Sequence, residues 1–150
     1  SDVYKRQSEM YTFVNNDIYN SLPSDLKSAI IDTTVVSSHG SEDTANFTST
    51  DKLYLLAPGE VWSDWKTSSG ASYDTAKDLT RTLDYYTAQG VTTSSYSGAI
   101  KKNGTSNYPW WLRSAISTIN ANFYFVRISG DWDGIDAYST SGVAPAFRLG

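Results

Sequence analysis

From Ser8 to Asn20 the apolar residues Met10, Phe13, Val14 and Ile18 recur at steps of one to four, a spacing that predicts a short amphipathic helix. Ser21-Leu22-Pro23-Ser24 ends it and offers a serine cap for a second helix over Pro23 to Ile30. Ile31 to Val36 is β-branched and reads as a strand, followed by a polar loop from Ser37 to Thr50. Lys52 to Leu56 reads as a short buried strand, and Pro58-Gly59-Glu60 opens a helical turn reaching Trp65. A further loop covers Thr67 to Ser72. Between Asp74 and Gln89, Ala76, Leu79, Leu83 and Tyr86 fall three and four apart and Gly90 follows, which predicts the longest helix of the chain. Val91 to Tyr108 is rich in Ser, Thr, Gly and Asn and reads as a long, mobile loop. Strands are then predicted over Trp110 to Arg113, Asn122 to Ile128, Ile135 to Tyr138 and Val143 to Leu149. Helices in the N-terminal half and an antiparallel sheet in the C-terminal half make the fold class α+β.

Pro109-Trp110-Trp111-Leu112-Arg113-Ser114 is the most specific stretch. Adjacent residues of a strand face opposite ways, so one indole can fill a core while the other covers a second layer or reaches the surface. Arg113 falls on the face of Trp111, placed for a carboxylate or a ring, and Glu60 is its candidate partner if both are buried. Trp62 and Trp65, three apart, are expected to pack inward.

Composition narrows the function classes. The chain has 150 residues, enough for one domain with a real core. It carries 12 basic and 16 acidic side chains, a formal net charge of -4, and no basic cluster beyond Lys101-Lys102, so nucleic acid is not an expected partner. No apolar run approaches a membrane span, so membrane insertion is not expected either. Cysteine is absent, which removes disulfides, thiolate metal sites and a cysteine nucleophile. Aromatics reach 14%, with 11 Tyr and 5 Trp amid Ser, Thr, Asn and Gly, a composition shared by binding surfaces and by polar exported domains. Asp2-Val3-Tyr4-Lys5-Arg6-Gln7 reads as a translated transposon end from library preparation. Residues 1–7 are therefore taken as foreign, and 8–150 as the domain proper.

In order along the chain, Ser8, Met10, Phe13, Val14 and Asn15, then Asp51-Lys52-Leu53-Tyr54-Leu55-Leu56-Ala57, then Trp110 to Ser114 and finally Gly142-Val143-Ala144-Pro145-Ala146-Phe147 form four blocks. This ordered set resembles the bacterial domain-of-unknown-function family 6273 of exported multidomain proteins. Two positions depart from the family pattern: Tyr11 and Ala144 stand where it has arginines. The resemblance implies a C-type-lectin-like fold lacking its first strands, terminal strands that pair, an exposed edge on Val143 to Leu149, and an extracellular or cell-surface location. Within that scaffold the formylglycine-generating activity needs cysteines and the iron-dependent sulfoxide synthase needs several histidines. This chain has no Cys and one His.

The candidate site residues follow. His39, with Glu42 and Asp43 nearby, has the inventory of a hydrolase, but a solvated loop histidine is the preferred reading. Asp131-Trp132-Asp133-Gly134-Ile135-Asp136 resembles a calcium-loop fragment without the later glutamate. Asp133-Gly134 equally suits a hairpin turn, which is preferred, so no cofactor is expected and calcium is the alternative. At such a hairpin tip Trp132 is placed to stack on a sugar, with Asp131 and Asp133 accepting hydroxyls and Tyr138 and Tyr124 extending the face; folding back over the sheet is the competing role. Trp110, Trp111, Arg113 and Pro145 are read as structural. The expected function is a non-catalytic binding module for a glycan or cell-surface protein. A structural spacer or adhesin module comes second, and a hydrolase third.

Overall fold

The first apolar stripe forms the expected helix, with one irregularity. In the computed structural model, which describes residues 8–150, Ser8 caps α1 (Glu9–Thr12) by accepting the Tyr11 N–H at 3.0 Å. The helix widens into a π-helical segment, Phe13–Ile18, and finishes as α2 (Tyr19–Ser21). The reading of residues 1–7 as foreign lies outside the described residues. Val14 enters the core, and two polar side chains dock the helix. The Tyr11 hydroxyl donates to Asp51 Oδ1 at 2.5 Å, and Asn15 Oδ1 accepts the Leu53 N–H at 3.3 Å. After Pro23, α3 (Ser24–Ala29) matches the second predicted helix and leads into β1 (Ile30–Ile31).

The chain then forms β2 (Thr33–Ser37), which pairs antiparallel with β3 (Phe47–Asp51). β3 corrects the loop expected across Ser37 to Thr50. Its inward positions are Ser49 and Asp51, so the alternation is present but is polar and gives no apolar signal. Ser49 Oγ donates to Asp51 Oδ2 at 2.6 Å, which together with Tyr11 satisfies the buried carboxylate.

α4 (Pro58–Val61) is followed by 3-10 turns at Trp65–Thr67 and Ser69–Tyr73. The long helix expected from Asp74 to Gln89 is corrected to α5 (Asp84–Ala88) alone. Asp74, at the start of that predicted helix, turns inward and is buried. It accepts the Trp65 indole N–H at 2.8 Å and the Ala76 N–H at 3.0 Å. The Leu83 N–H reaches back to the Glu60 carbonyl at 3.0 Å, Leu83 itself is extended, and residues 80–83 stay outside any helix. Leu79, counted as a core position by the helical period, is 61% exposed. Gly90 does end α5, with φ +67.

The segment expected as a loop over 91–108 carries a 3-10 turn at Ser97–Ala99 and a tight hairpin, β4 (Lys101–Asn103) with β5 (Ser106–Tyr108). Gly104, at φ +64, takes the first position of its two-residue turn.

β6 (Trp110–Ala115), β7 (Asn122–Val126) and β8 (Trp132–Asp136) form the three-stranded antiparallel sheet in that order. The hairpin turn predicted at Asp133-Gly134 is corrected. Both residues lie inside β8, opposite Phe125 and Tyr124. Gly134 is there because a Cβ would fall 2.2 Å from the Ile116 side chain. The turn sits at Arg127–Asp131, where Gly130 has φ +95 and an added Cβ would fall 2.1 Å from the Tyr96 carbonyl oxygen.

The closing motif is less strand-like than predicted. Only β9 (Arg148–Leu149) is a strand, pairing antiparallel with β1. Before it, single bridges tie Gly142 to Trp110 and Ala146 to Tyr54, with Pro145 between them where no ladder N–H is asked of it. Over Arg148 and Leu149 one edge of this strand carries β1. The fold is a small α+β domain of short helices and antiparallel sheets, with β1, β2 and β3 interleaved among the early helices.

Candidate functional site

β6 is buried along its whole length and holds the centre of the molecule. Trp110 and Trp111 divide as alternation requires. The Trp110 indole donates to the Ala99 carbonyl at 3.1 Å, and Trp111 meets Phe125 edge-on at 6.3 Å. Between the pairs Trp111–Phe125 and Ala115–Phe123, three β6 residues stand opposite Tyr124 alone. Such a bulge re-aims side chains, and here it turns Arg113 into the layer formed by residues 36 and 55–60. Its Nε donates to the Val36 carbonyl at 3.0 Å, one Nη to the Leu55 carbonyl at 2.9 Å, and the other pairs with Glu60. Arginine and glutamate are both buried, so the partnership expected from sequence holds and is structural.

The aromatic residues proposed for a ligand face are placed differently. Tyr124 is wholly buried, and its hydroxyl donates to the Gly70 carbonyl at 2.6 Å. Burial and the Asp74 charge push its hydroxyl pKa up. Trp132 folds over the same cluster, edge-on to Trp65 at 5.5 Å and to Tyr124 at 6.0 Å, and is half-buried. Gly70 makes room for it, since a Cβ there would fall 2.7 Å from both indoles. Trp132 is therefore a cover of the sheet and not a hairpin tip, and Tyr124 does not extend a surface. Tyr138 is 92% exposed but lies beyond the other end of β8, where the Ala137 N–H donates to Ala121. At the rise of a strand, roughly 20 Å of chain separates it from Trp132. Asp131 and Asp133 converge on Arg127 across the turn, Asp131 also accepting Ser129 Oγ at 2.5 Å. Asp136 caps the next turn through the Tyr138 N–H at 3.0 Å. Among the described residues no group of three or more His, Asp and Glu side chains is placed to hold a metal. His39 Nδ1 engages the neighbouring Gly40 carbonyl at 2.8 Å, and its backbone N–H donates to Thr75.

Sequence reading missed two clefts. One, of about 560 Å³, lies between the Trp65 turn and the irregular strap at 78–82. Trp62 and Trp65 lie beneath it, Ser63, Thr80 and Thr82 contribute hydroxyls, and exposed Lys66, Asp78 and Arg81 stand around it. The false helical period over 74–89 concealed this strap. A second cleft, of about 310 Å³, opens between the β4–β5 hairpin and Gly142 to Ala144. Lys101 lies there with its ammonium 4.8 Å over the Trp110 ring and 6.0 Å over Tyr86, and burial lowers its pKa. Gly104-Thr105, a glycine-first turn pair, marked this hairpin in the sequence. Tyr11 supplies by a hydroxyl the donor that Asp51 needs, and Ala144 lines the second cleft.

Among the described residues no helix is long and apolar enough to cross a membrane. No curated protein and no solved structure matches the chain. A family model described as "Domain of unknown function (DUF6273)" matches residues 2–150. With nearly its whole length matched, the chain belongs to the DUF6273 family.

Proposed function

We propose that this domain is a non-catalytic binding module on a C-type-lectin-like scaffold, exported to the bacterial cell surface, and that its ligand is a surface glycan. The observation that carries the reading is the open cleft of about 560 Å³ beside the Trp62–Trp65 pair. Its size is that of a small-molecule site, and its groups both donate and accept, as a polyhydroxyl ligand requires. Lys66 and Arg81 donate, Asp78 accepts, and the hydroxyls of Ser63 and Thr82 have acceptor capacity left after donating to the Val91 and Gly59 carbonyls. The buried charges, by contrast, serve the scaffold: Arg113 with Glu60, Asp51 with Tyr11 and Ser49, Asp74 with Trp65. His39 and Glu42 do not line this cleft, which favours binding over hydrolysis.

The test is a glycan array probed with the wild type and with the Lys66→Ala/Asp78→Ala/Arg81→Ala variant, whose replaced side chains are exposed. Specific binding lost in the folded variant supports the reading. Binding retained by the variant removes this cleft as the site. A folded wild type that binds no glycan turns the reading to protein adhesion or a spacer.

A further inference from the structure

The second cleft has a chemistry of its own, independent of the first. Lys101 and Asn103 alternate onto one face of the β4–β5 hairpin, and Tyr108 stands directly across from Lys101. These side chains meet Trp110 and the Gly142 to Ala144 segment around a space of about 310 Å³. The lining includes Lys101 and Lys102 and no acidic residue, in a chain of net charge -4. Among the described residues neither lysine has a carboxylate partner. The Lys101 ammonium is held half-buried by the faces of Trp110 and Tyr86. Ring faces compensate a cation only in part, so the half-buried ammonium keeps donors free for an anion entering the cleft.

We propose that this cleft binds the carboxylate of an acidic sugar, with Lys101 as the paired cation and Tyr108 and Asn103 as the sugar-recognising groups. A lysine alone is a point charge that accepts carboxylate or phosphate equally. The neighbours make the choice. The partly exposed Tyr108 ring offers an apolar face with a polar tip, suited to the C–H face of a pyranose, and the Asn103 amide both donates to and accepts from ring hydroxyls. The volume sits at the lower end of small-molecule sites, which fits a terminal monosaccharide better than a peptide segment.

The test is a nitrogen-15 NMR titration of the protein with glucuronate, with glucose as the neutral control, and with inorganic phosphate and a tripeptide bearing a free C-terminal carboxylate as competing anions. Glucuronate is expected to shift the amides of 101–108 and 142–144, with glucose at least about tenfold weaker, the scale of a half-buried charge pair. Lys101→Gln should bring glucuronate down to the glucose level. Lys101→Arg, which keeps the charge and the ring contacts, should retain binding and stands as the readout if the glutamine variant does not fold. Absence of those shifts, equal binding of glucose, or tighter binding of phosphate or the tripeptide overturns the proposal.

Discussion

Replacing Arg113 by methionine keeps much of the stem and removes only the guanidinium. That group makes three connections in a buried layer: to the Val36 and Leu55 carbonyls at 3.0 and 2.9 Å, and to the Glu60 carboxylate. Two carbonyls lose charged donors, and a buried carboxylate is left without its counterion. Removing one partner of a buried pair costs about 3–5 kcal/mol, most of it the penalty on the orphaned charge. For a chain of this size that is a fall in melting temperature of about 6–20 °C. Since the cost lies in what is orphaned, Glu60→Gln added to Arg113→Met should return part of it, with a coupling of about 1–3 kcal/mol. Urea denaturation of the wild type, both single variants and the double variant measures all four corners of the cycle. A loss below about 1 kcal/mol in Arg113→Met, or single-variant losses that simply add, would refute the account of the bulge as a device that buries and pairs this arginine.

Four further outcomes are expected. Trp132→Ala should lower stability by about 2–3 kcal/mol, below the full-burial range because the ring is half exposed, and an unchanged melting curve would return Trp132 to a surface role. Tyr11→Phe removes the hydroxyl donor to buried Asp51 and should cost about 1–3 kcal/mol by denaturant titration. Gly130→Ala should be more damaging than any other glycine-to-alanine change in the β7–β8 hairpin, since it combines a positive φ with a clash on a backbone carbonyl; a thermal shift matching that of Gly134→Ala would contradict this. Burial raises the pKa of Asp74 above the usual aspartate value, against the lowering effect of the Trp65 and Ala76 hydrogen bonds. A raised folded-state pKa means that its contribution to stability is present in acid and is lost as the pH rises through that value. The wild type should therefore lose stability relative to Asp74→Asn as the pH is raised across the carboxylate range, and a gain over that interval would reverse the assignment.

Much of this architecture was legible where side-chain size and covalent geometry decide the outcome. Trp62, Trp65, Trp110 and Trp111 are core as expected, and Glu60 meets Arg113 because both flank apolar runs that pack together. The reading failed where a polar group does the folding. β3 was invisible because its inward residues are Ser49 and Asp51, buried by bonds to each other and to Tyr11. The 74–89 segment had the right period, but Asp74 folds back to Trp65 and opens the helix into a strap. Asp133-Gly134 carried a turn signal overridden by packing, because the glycine serves the Ile116 side chain. The first cleft was hidden by the false helical period across residues 78–82, and the second joins residues 101–110 to 142–144, segments far apart in sequence.

The staple formed by residues 142–149 bears on how the chain reaches its native state. Gly142 meets Trp110, Ala146 meets Tyr54 and Leu149 meets Ile30, so one short segment closes three separate parts of the molecule. Contacts of such sequence separation are entropically slow to form and yield nothing until nearly everything else is in place. A chain in which this segment is undocked therefore has its Trp110 strand and β1 unlatched. Three distant parts of the fold thus share one fastening, and a single break at Gly142 should loosen all of them together, read as a common loss of amide-exchange protection at Trp110, Tyr54 and Ile30.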